Sequence, residues 1–211
     1  MKKLMVVLAV LAFACAAQAA IIAEYTFTGS SAASSDAEAN STAGNFSVSS
    51  GTLLFTVTSS ASWAAIGGSI PCGDGANGWN ASAQATAKNF YFTVTPSSGY
   101  QITITSLNFL YGITGTAAAN AGWSIAGVSQ DTFARTQSTI GVAYTSPAVS
   151  VVITEATTIS IEGWAATSSS GNFRLDNVVL NGTVSSIPEP ATMGLLGLGA
   201  LAMVLRRKMS K

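Results

Sequence analysis

The chain has 211 residues, of which 48% are hydrophobic and only 9% charged, with nine basic and nine acidic residues, two cysteines and no histidine. The lack of histidine excludes Ser-His-Asp and Cys-His nucleophile pairs and His-ligated zinc, and two cysteines are too few for a structural zinc site or a disulfide framework. This length allows one domain with short appendages, and the zero net charge argues against a nucleic-acid partner.

The first element in chain order is a secretory signal peptide over residues 1–19. Two lysines near the start precede an apolar stretch, residues 4–14, that is too short for a lasting membrane span. Ala17 and Ala19 then supply the small-residue pattern that signal peptidase cleaves. We expect an N-terminal signal helix, cleavage after Ala19 and export of the body. A lipoprotein signal at Cys15 is the alternative, disfavoured by a bulky ring two residues before it.

The body, residues 20–184, is predicted to consist of strands. It is rich in Thr, Ser, Ala, Val, Ile and Gly with recurring period-two alternation and no sustained helical period. About nine short strands with polar turns indicate an all-β, antiparallel two-sheet β-sandwich of jelly-roll type. The predicted strands lie near residues 21–28, 51–58, 90–95, 100–111, 122–128, 149–153, 159–163 and 172–184.

Two local features qualify this pattern. The apolar phase shifts near Thr105-Ser106, which predicts a bulge or bend, because one extra residue flips the buried face. A hairpin is predicted around residues 155–157. Two further stretches are predicted as loops: residues 30–44, which are rich in Ser and Ala, and residues 59–88, whose length is typical of functional or disordered segments.

Residues 185–211 form a third region. Pro188, Glu189 and Pro190 precede an uncharged apolar segment, residues 191–205, and a basic tail, residues 206–211. As a helix this segment would cover about 22 Å, less than the ~30 Å hydrocarbon core, which indicates a short transmembrane helix that serves as a marginal anchor or a processing signal. The basic tail, beginning at Arg206 and Arg207, should stay cytoplasmic and leave the body outside.

Pro188-Glu189-Pro190, the apolar segment and the basic tail follow one another in an order that resembles the PEP-CTERM sorting signal of Gram-negative bacteria. The resemblance implies recognition by an exosortase, cleavage near Pro188-Glu189-Pro190 and transfer to the cell surface or matrix after a transient stay in the inner membrane. Such signals often occur in bacteria that make exopolysaccharide. An ordinary C-terminal anchor is the alternative.

The body carries a second resemblance. Residues 172–182 look like the closing strand of jelly-roll carbohydrate-binding modules, in which an Asp precedes a short apolar ending. The resemblance implies that Asp176 joins a carboxylate near the first strand, matched by Glu24, in a structural calcium site. We expect no other cofactor. Calcium needs six to eight oxygens, mostly from carbonyls here. The alternative is that Asp176 pairs with Arg174 or caps a turn.

The tryptophans are candidate platforms for sugar rings, because glycan recognition needs flat aromatic surfaces beside carboxylates or amides. Strand alternation places Glu162 and Trp164 on the face opposite the apolar residues of their strand. Trp79 lies in the long loop and is the one most expected to be exposed; Trp63 and Trp123 are further candidates. The alternative for any of them is a place in the core.

The predicted function is non-catalytic. Glycoside hydrolysis needs two carboxylates with separated pKa values, and the acids of the body suggest no such pair; phosphate-loop and nucleophile-elbow motifs are also absent. Residues 20–186 hold three basic and eight acidic residues, a net charge of −5 that disfavours nucleic acid further. We expect an exported surface or matrix protein associated with extracellular polysaccharide. The alternatives are a structural matrix protein without a ligand and a polysaccharide hydrolase or lyase.

Overall fold

The structure is a computed structural model that describes residues 19–36, 38–55, 72–74, 79, 81–84, 87–113, 118–134, 138–167, 173–188, 197–200, 202–203 and 206–207. Its strands are β1 (Ala19–Tyr25), β2 (Ser41–Ala43), β3 (Ser47–Val48), β4 (Leu53–Leu54), β5 (Cys72–Asp74), β6 (Lys88–Pro96), β7 (Tyr100–Ile113), β8 (Asn120–Ile125), β9 (Val128–Ala134), β10 (Ser138–Thr145), β11 (Val151–Ile153), β12 (Thr157–Trp164) and β13 (Phe173–Ser186).

The strands form two antiparallel sheets. In the first sheet, β7 and β13 are the long central pair; β10 and β11 pair with β7, β1 and β5 pair with β13, and β4 pairs with β5. In the second sheet, the order is β6, β12, β8, β9, with the short strands β2 and β3 on the outer side of β6. The predicted all-β, antiparallel two-sheet sandwich is confirmed.

The core lies between the inner faces of the two sheets. Along β6, every second side chain is buried, and the same alternation runs through most of β13. Each large apolar side chain removed from water contributes roughly 1.5–3 kcal/mol, so these alternating residues stabilise the sandwich. The largest buried side chains are Trp79, Trp123, Tyr25, Phe27, Phe90, Phe92, Phe173, Ile22, Ile102, Ile104 and Leu107.

The predicted bulge is present in β7. Asn181 of β13 pairs with Ser106, whereas the next residue, Gly182, pairs with Ile104. Thr105 is therefore the extra residue, and both Ile104 and Leu107 face the core on either side of it. The phase shift read from the sequence is confirmed.

The predicted hairpin around residues 155–157 is wrong. β11 pairs with β7 in the first sheet, whereas β12 pairs with β6 and β8 in the second. Residues 154–156 thus cross between the sheets. Alternation shows that Ile153 and Ile159 are both buried, but it carries no information on which sheet receives each strand.

The strand predicted over residues 122–128 also ends earlier, at Ile125. Ala126 and Gly127 both have positive φ values, of 51° and 77°, and they connect β8 to β9. Two residues in this conformation make the hairpin turn whose twist matches that of the flanking strands.

The segments predicted as loops contain paired backbone. Residues 30–44 include β2, and the Ser35 amide donates to the Glu24 carbonyl at 2.8 Å, so this segment is held against β1. Within residues 59–88, Cys72–Asp74 form β5 and pair with β13. Residues 56–71, where Trp63 falls, lie outside the described part.

The predicted terminal helices fall mostly outside the described residues. Residues 1–18 are not among them, and of the apolar segment and basic tail only 197–200, 202–203 and 206–207 are described, all helical. Within the described residues, no helix is both long and apolar enough to cross a bilayer.

Candidate functional site

A polar groove of about 230 Å³ lies on the outer face of the second sheet. Its lining is mostly hydroxyl and amide side chains around one carboxylate, and we call it the Glu162 groove. The lining residues are Gln84, Ala87, Asn89, Ser124, Gly127, Ser129, Ser160 and Glu162.

Strand register brings these side chains together. Glu162 of β12 lies opposite Asn89 of β6 on one side and Gly122 of β8 on the other. In the neighbouring row, Ser160 lies opposite Ser124. Because alternate residues of a strand point to opposite faces, the buried isoleucines of β12 fill the core while Ser160 and Glu162 point outward.

Glu162 forms the floor of the groove and is only 6% exposed. The Ser124 hydroxyl donates a short hydrogen bond to Oε1, and the Gln84 amide donates to Oε2 at 3.2 Å. Burial raises the pKa of the Glu162 carboxyl above its ordinary value, and the two hydrogen bonds partly oppose that rise. The groove therefore holds a fixed, desolvated carboxyl group.

The absence of a side chain at Gly122 makes room for Gln84. A Cβ built on Gly122 would lie 2.7 Å from the Asp131 carbonyl oxygen and 3.0 Å from Gln84 Nε2. The Gln84 amide can therefore lie over the sheet and reach Glu162. The sequence did not indicate that Gln84, Asn89 and Ser124 line the groove. Asn89 and Ser124 lie there because of the strand register, and Gln84 lies there because Gly122 has no side chain.

The stability of the protein is expected to fall as pH rises from the ordinary carboxyl range through the raised pKa of Glu162. The folded protein holds the proton on Glu162 more tightly than the unfolded chain does. Protonated Glu162 therefore contributes fully to stability below the pKa that it has in the unfolded chain, and this contribution is lost above the pKa that it has in the folded protein. Thermal midpoints measured from about pH 4 to about pH 8 check this. Glu162→Gln should flatten the profile, whereas Glu155→Gln, at an exposed position, should leave it unchanged. Parallel profiles for wild type and Glu162→Gln would contradict the assignment.

The predicted exposure of Trp79 is wrong. Its ring is 2% exposed and packs on Phe90 and Phe173 at centroid distances of 5.4 and 5.2 Å. Gly163 leaves the space, since a Cβ there would lie 2.9 Å from the indole. The Lys88 ammonium lies 5.6 Å from the ring centroid. A tryptophan in a long connecting segment thus completes the core, and its face is closed to a ligand.

Trp164 and Glu162 lie on the same strand, two residues apart, with the core-facing Gly163 between them. Trp164 is half-buried and does not line the Glu162 groove. Trp123 is fully buried in the core. Of the described tryptophans, only Trp164 keeps an accessible surface.

The two residues proposed for calcium are placed on neighbouring strands. Glu24 lies opposite Val179 of β13, beyond a register shift from Asp176, and its Oε2 accepts from the Ser35 hydroxyl at 2.9 Å. Asp176 is buried, and its Oδ1 accepts from the backbone N–H of Asn177 at 2.8 Å. No cluster of three or more His, Cys, Asp or Glu side chains occurs among the described residues. Backbone carbonyls would have to supply most ligands, and the calcium site stays a prediction.

The processing residues flank the sandwich. Ala19 begins β1, whereas Ala17 lies outside the described residues. Pro188 is exposed just beyond β13; Glu189 and Pro190 are outside the described part. Arg206 and Arg207 are helical and exposed.

Comparisons with known proteins identify the C-terminal region. Residues 186–208 match the PEP-CTERM protein-sorting motif, which implies an exported protein sorted by an exosortase. A comparison with curated proteins gives no match. Four chains of solved structures match. One is the CBM36-1 domain of a multidomain xylanase from the hindgut metagenome of Trinervitermes trinervoides, with 12% identity, a TM-score of 0.40, and coverage of 71% of this chain and 100% of that chain.

Proposed function

We propose that this exported protein reaches the cell surface or extracellular matrix and that its Glu162 groove binds an uncharged glycan without catalysing a reaction. The observation that carries the proposal is the groove itself: a patch of hydroxyls, amides and one buried carboxylate on a sheet face. Signal peptidase and an exosortase act on the chain during export, and the C-terminal apolar segment anchors it transiently in the inner membrane.

The groove chemistry suits sugar hydroxyls. Ser, Asn and Gln side chains each offer donors and acceptors, and an ionised carboxylate accepts two hydroxyl protons at once. Half-buried Tyr91 lies opposite Ser160 on the same face of the sheet and offers an aromatic flank beside the groove. Aromatic rings pack well against the C–H faces of pyranose rings because they are large and apolar with a polar edge.

The charge of the groove favours an uncharged glycan. No lysine or arginine is among the lining residues, and Glu162 is the acidic group that a ligand would meet. An acidic polysaccharide would bring like charges together in a partly desolvated site, which is unfavourable. Neutral hexoses or N-acetylated sugars avoid this cost.

The single carboxylate supports binding over catalysis. Glycoside hydrolysis generally uses two carboxyl groups on opposite sides of the scissile bond. Among the lining residues Glu162 is the one acid, and Asp131 on neighbouring β9 accepts from the Tyr144 hydroxyl at 2.7 Å. A structural matrix protein without a ligand is the main alternative, and a hydrolase or lyase is the other.

Glu162→Gln is expected to weaken binding to a neutral polysaccharide about tenfold. A hydrogen bond to a charged group contributes about 1.5–3 kcal/mol, and 1.4 kcal/mol corresponds to a factor of ten. A glycan array selects the ligand, and affinity electrophoresis in gels containing it measures retention. Thr158→Ala, at an exposed position of β12 outside the groove, is the matched control.

The outcomes separate the three functions. Equal retention of wild type and Glu162→Gln would place binding elsewhere. Failure to retain any glycan would favour the purely structural protein. Release of reducing sugar by the wild type, lost in Glu162→Gln, would establish an enzyme.

A further inference from the structure

The sandwich and the apolar sorting segment are joined by a very short tether. β13 ends at Ser186, and the Ile187 amide still donates to the Gly99 carbonyl at 2.7 Å. The apolar segment begins at Ala191, so only residues 188–190 lie between the folded body and that segment. Fully extended, these residues span roughly 10 Å. An anchored chain must therefore hold this end of the sandwich against the bilayer surface.

The register identifies the elements at this end. Ser186 pairs with Tyr100 at the start of β7, and Val184 pairs with Ile102. Ile102 pairs in turn with Ile153, so β11 ends beside the exit of β13 with only β7 between them. Strands lie about 4.8 Å apart, which places β11 roughly 10 Å from β13.

An apolar groove opens beside β11. We call it the Val128 groove; it has a volume of about 360 Å³ and is lined by the β8–β9 turn, β11 and the crossover to β12. Val128 and Val152 are 64% and 53% exposed. Ile187, at the tether, is 39% exposed. Exposed apolar side chains thus gather where the chain leaves for the membrane.

The charge at this end favours a bilayer surface without net charge. Glu155 lines the Val128 groove, and no basic residue does. The described basic residues of the body lie towards the other end: Lys88 pairs with Gly163 and Arg174 with Gly112. Anionic headgroups attract basic clusters, and the described lining of the Val128 groove contains no basic residue.

We propose that the Val128 groove, together with Ile187, docks on the surface of a zwitterionic lipid bilayer while the sorting segment is attached. The proposal rests on the proposed membrane anchoring and is independent of glycan binding. The short tether keeps the local concentration of bilayer surface high, so a small apolar contact suffices. Cleavage at the sorting motif releases the tether and, with it, the docked state.

The test uses residues 20–211, the chain expected after signal-peptide cleavage, with Cys72 replaced by serine and one new cysteine carrying an environment-sensitive dye. Thr154→Cys places the dye at the Val128 groove, and Ala134→Cys places it at the far end of β9; both positions are exposed. The protein is reconstituted in phosphatidylcholine vesicles containing a lipid with a headgroup quencher. Flotation of the vesicles reports anchoring, and quenching reports docking.

We expect the dye at Thr154→Cys to lose most of its fluorescence and the dye at Ala134→Cys to keep it. The double substitution Val128→Ser and Val152→Ser, at exposed positions, should restore fluorescence at Thr154→Cys without changing flotation. Equal quenching at both positions, or quenching that survives the double substitution, overturns the docking proposal. A chain that does not float overturns the anchoring and the docking with it.

Discussion

Replacing Trp79 with alanine is expected to lower the free energy of unfolding by about 3–5 kcal/mol, the range for removing a large aromatic side chain from a core. The indole packs between Phe90 of the second sheet and Phe173 of the first, in the space that Gly163 leaves open. Its loss would leave a cavity where the two sheets meet. Denaturant unfolding followed by circular dichroism gives the free energy directly.

Trp164→Ala is the matched control for this experiment. Trp164 is half-buried, so its truncation removes less apolar surface from a protein environment. We expect a clearly smaller loss of stability than for Trp79→Ala. Similar losses at the two positions would refute the role of Trp79 as a core residue.

Gly182→Ala is expected to destabilise the protein by about 1–3 kcal/mol, the usual cost of forcing extra volume into a packed site. A Cβ on Gly182 would lie 2.7 Å from the Thr103 carbonyl oxygen and 2.9 Å from Ile22 Cγ1. The nearer atom belongs to the backbone of β7, so relief requires β7 and β13 to separate. The same denaturant measurement checks this.

Gly44→Ala provides the comparison for Gly182→Ala. The nearest atom to a Cβ on Gly44 is the Thr93 carbonyl oxygen at 3.5 Å, an ordinary contact. Stability should therefore stay within about 0.5 kcal/mol of wild type, as for other surface changes. If both alanine variants are equally stable, a Cβ at Gly182 does not clash with the backbone of β7, and this prediction is wrong.

The parts of the fold that could be predicted are those in which alternation decides burial. β6, β7 and β13 are long enough for period-two patterning to mark their inner faces, and the bulge at Thr105 followed from a phase change. β2, β3 and β5 are too short to carry such a pattern and exist because a longer strand offers them hydrogen bonds. Alternation also does not show which strands pair with each other. For this reason the predicted hairpin between β11 and β12 was wrong.

Some residues of the candidate site could also be predicted from the sequence, and others could not. The outward direction of Glu162 follows from the strand that carries it. Its neighbours Asn89 and Ser124 come from β6 and β8, whose register against β12 is a tertiary property. Gln84 depends on the gap above Gly122. The prediction that Trp79 is exposed was wrong for a related reason. The position of a residue in a connecting segment does not show which space in the core its side chain fills.

The pairing of β1 with β13 sets the order of events during secretion. An exported chain crosses the membrane from its N-terminus, yet β13, the last of the described strands, lies at the centre of the first sheet between β7 and both β1 and β5. The first sheet therefore cannot close until residue 186 has emerged. Until then the edges of β7 and β1 lack their partner, and unpaired edges invite aggregation. These strand edges are therefore exposed longest in the interval just before residue 186 emerges.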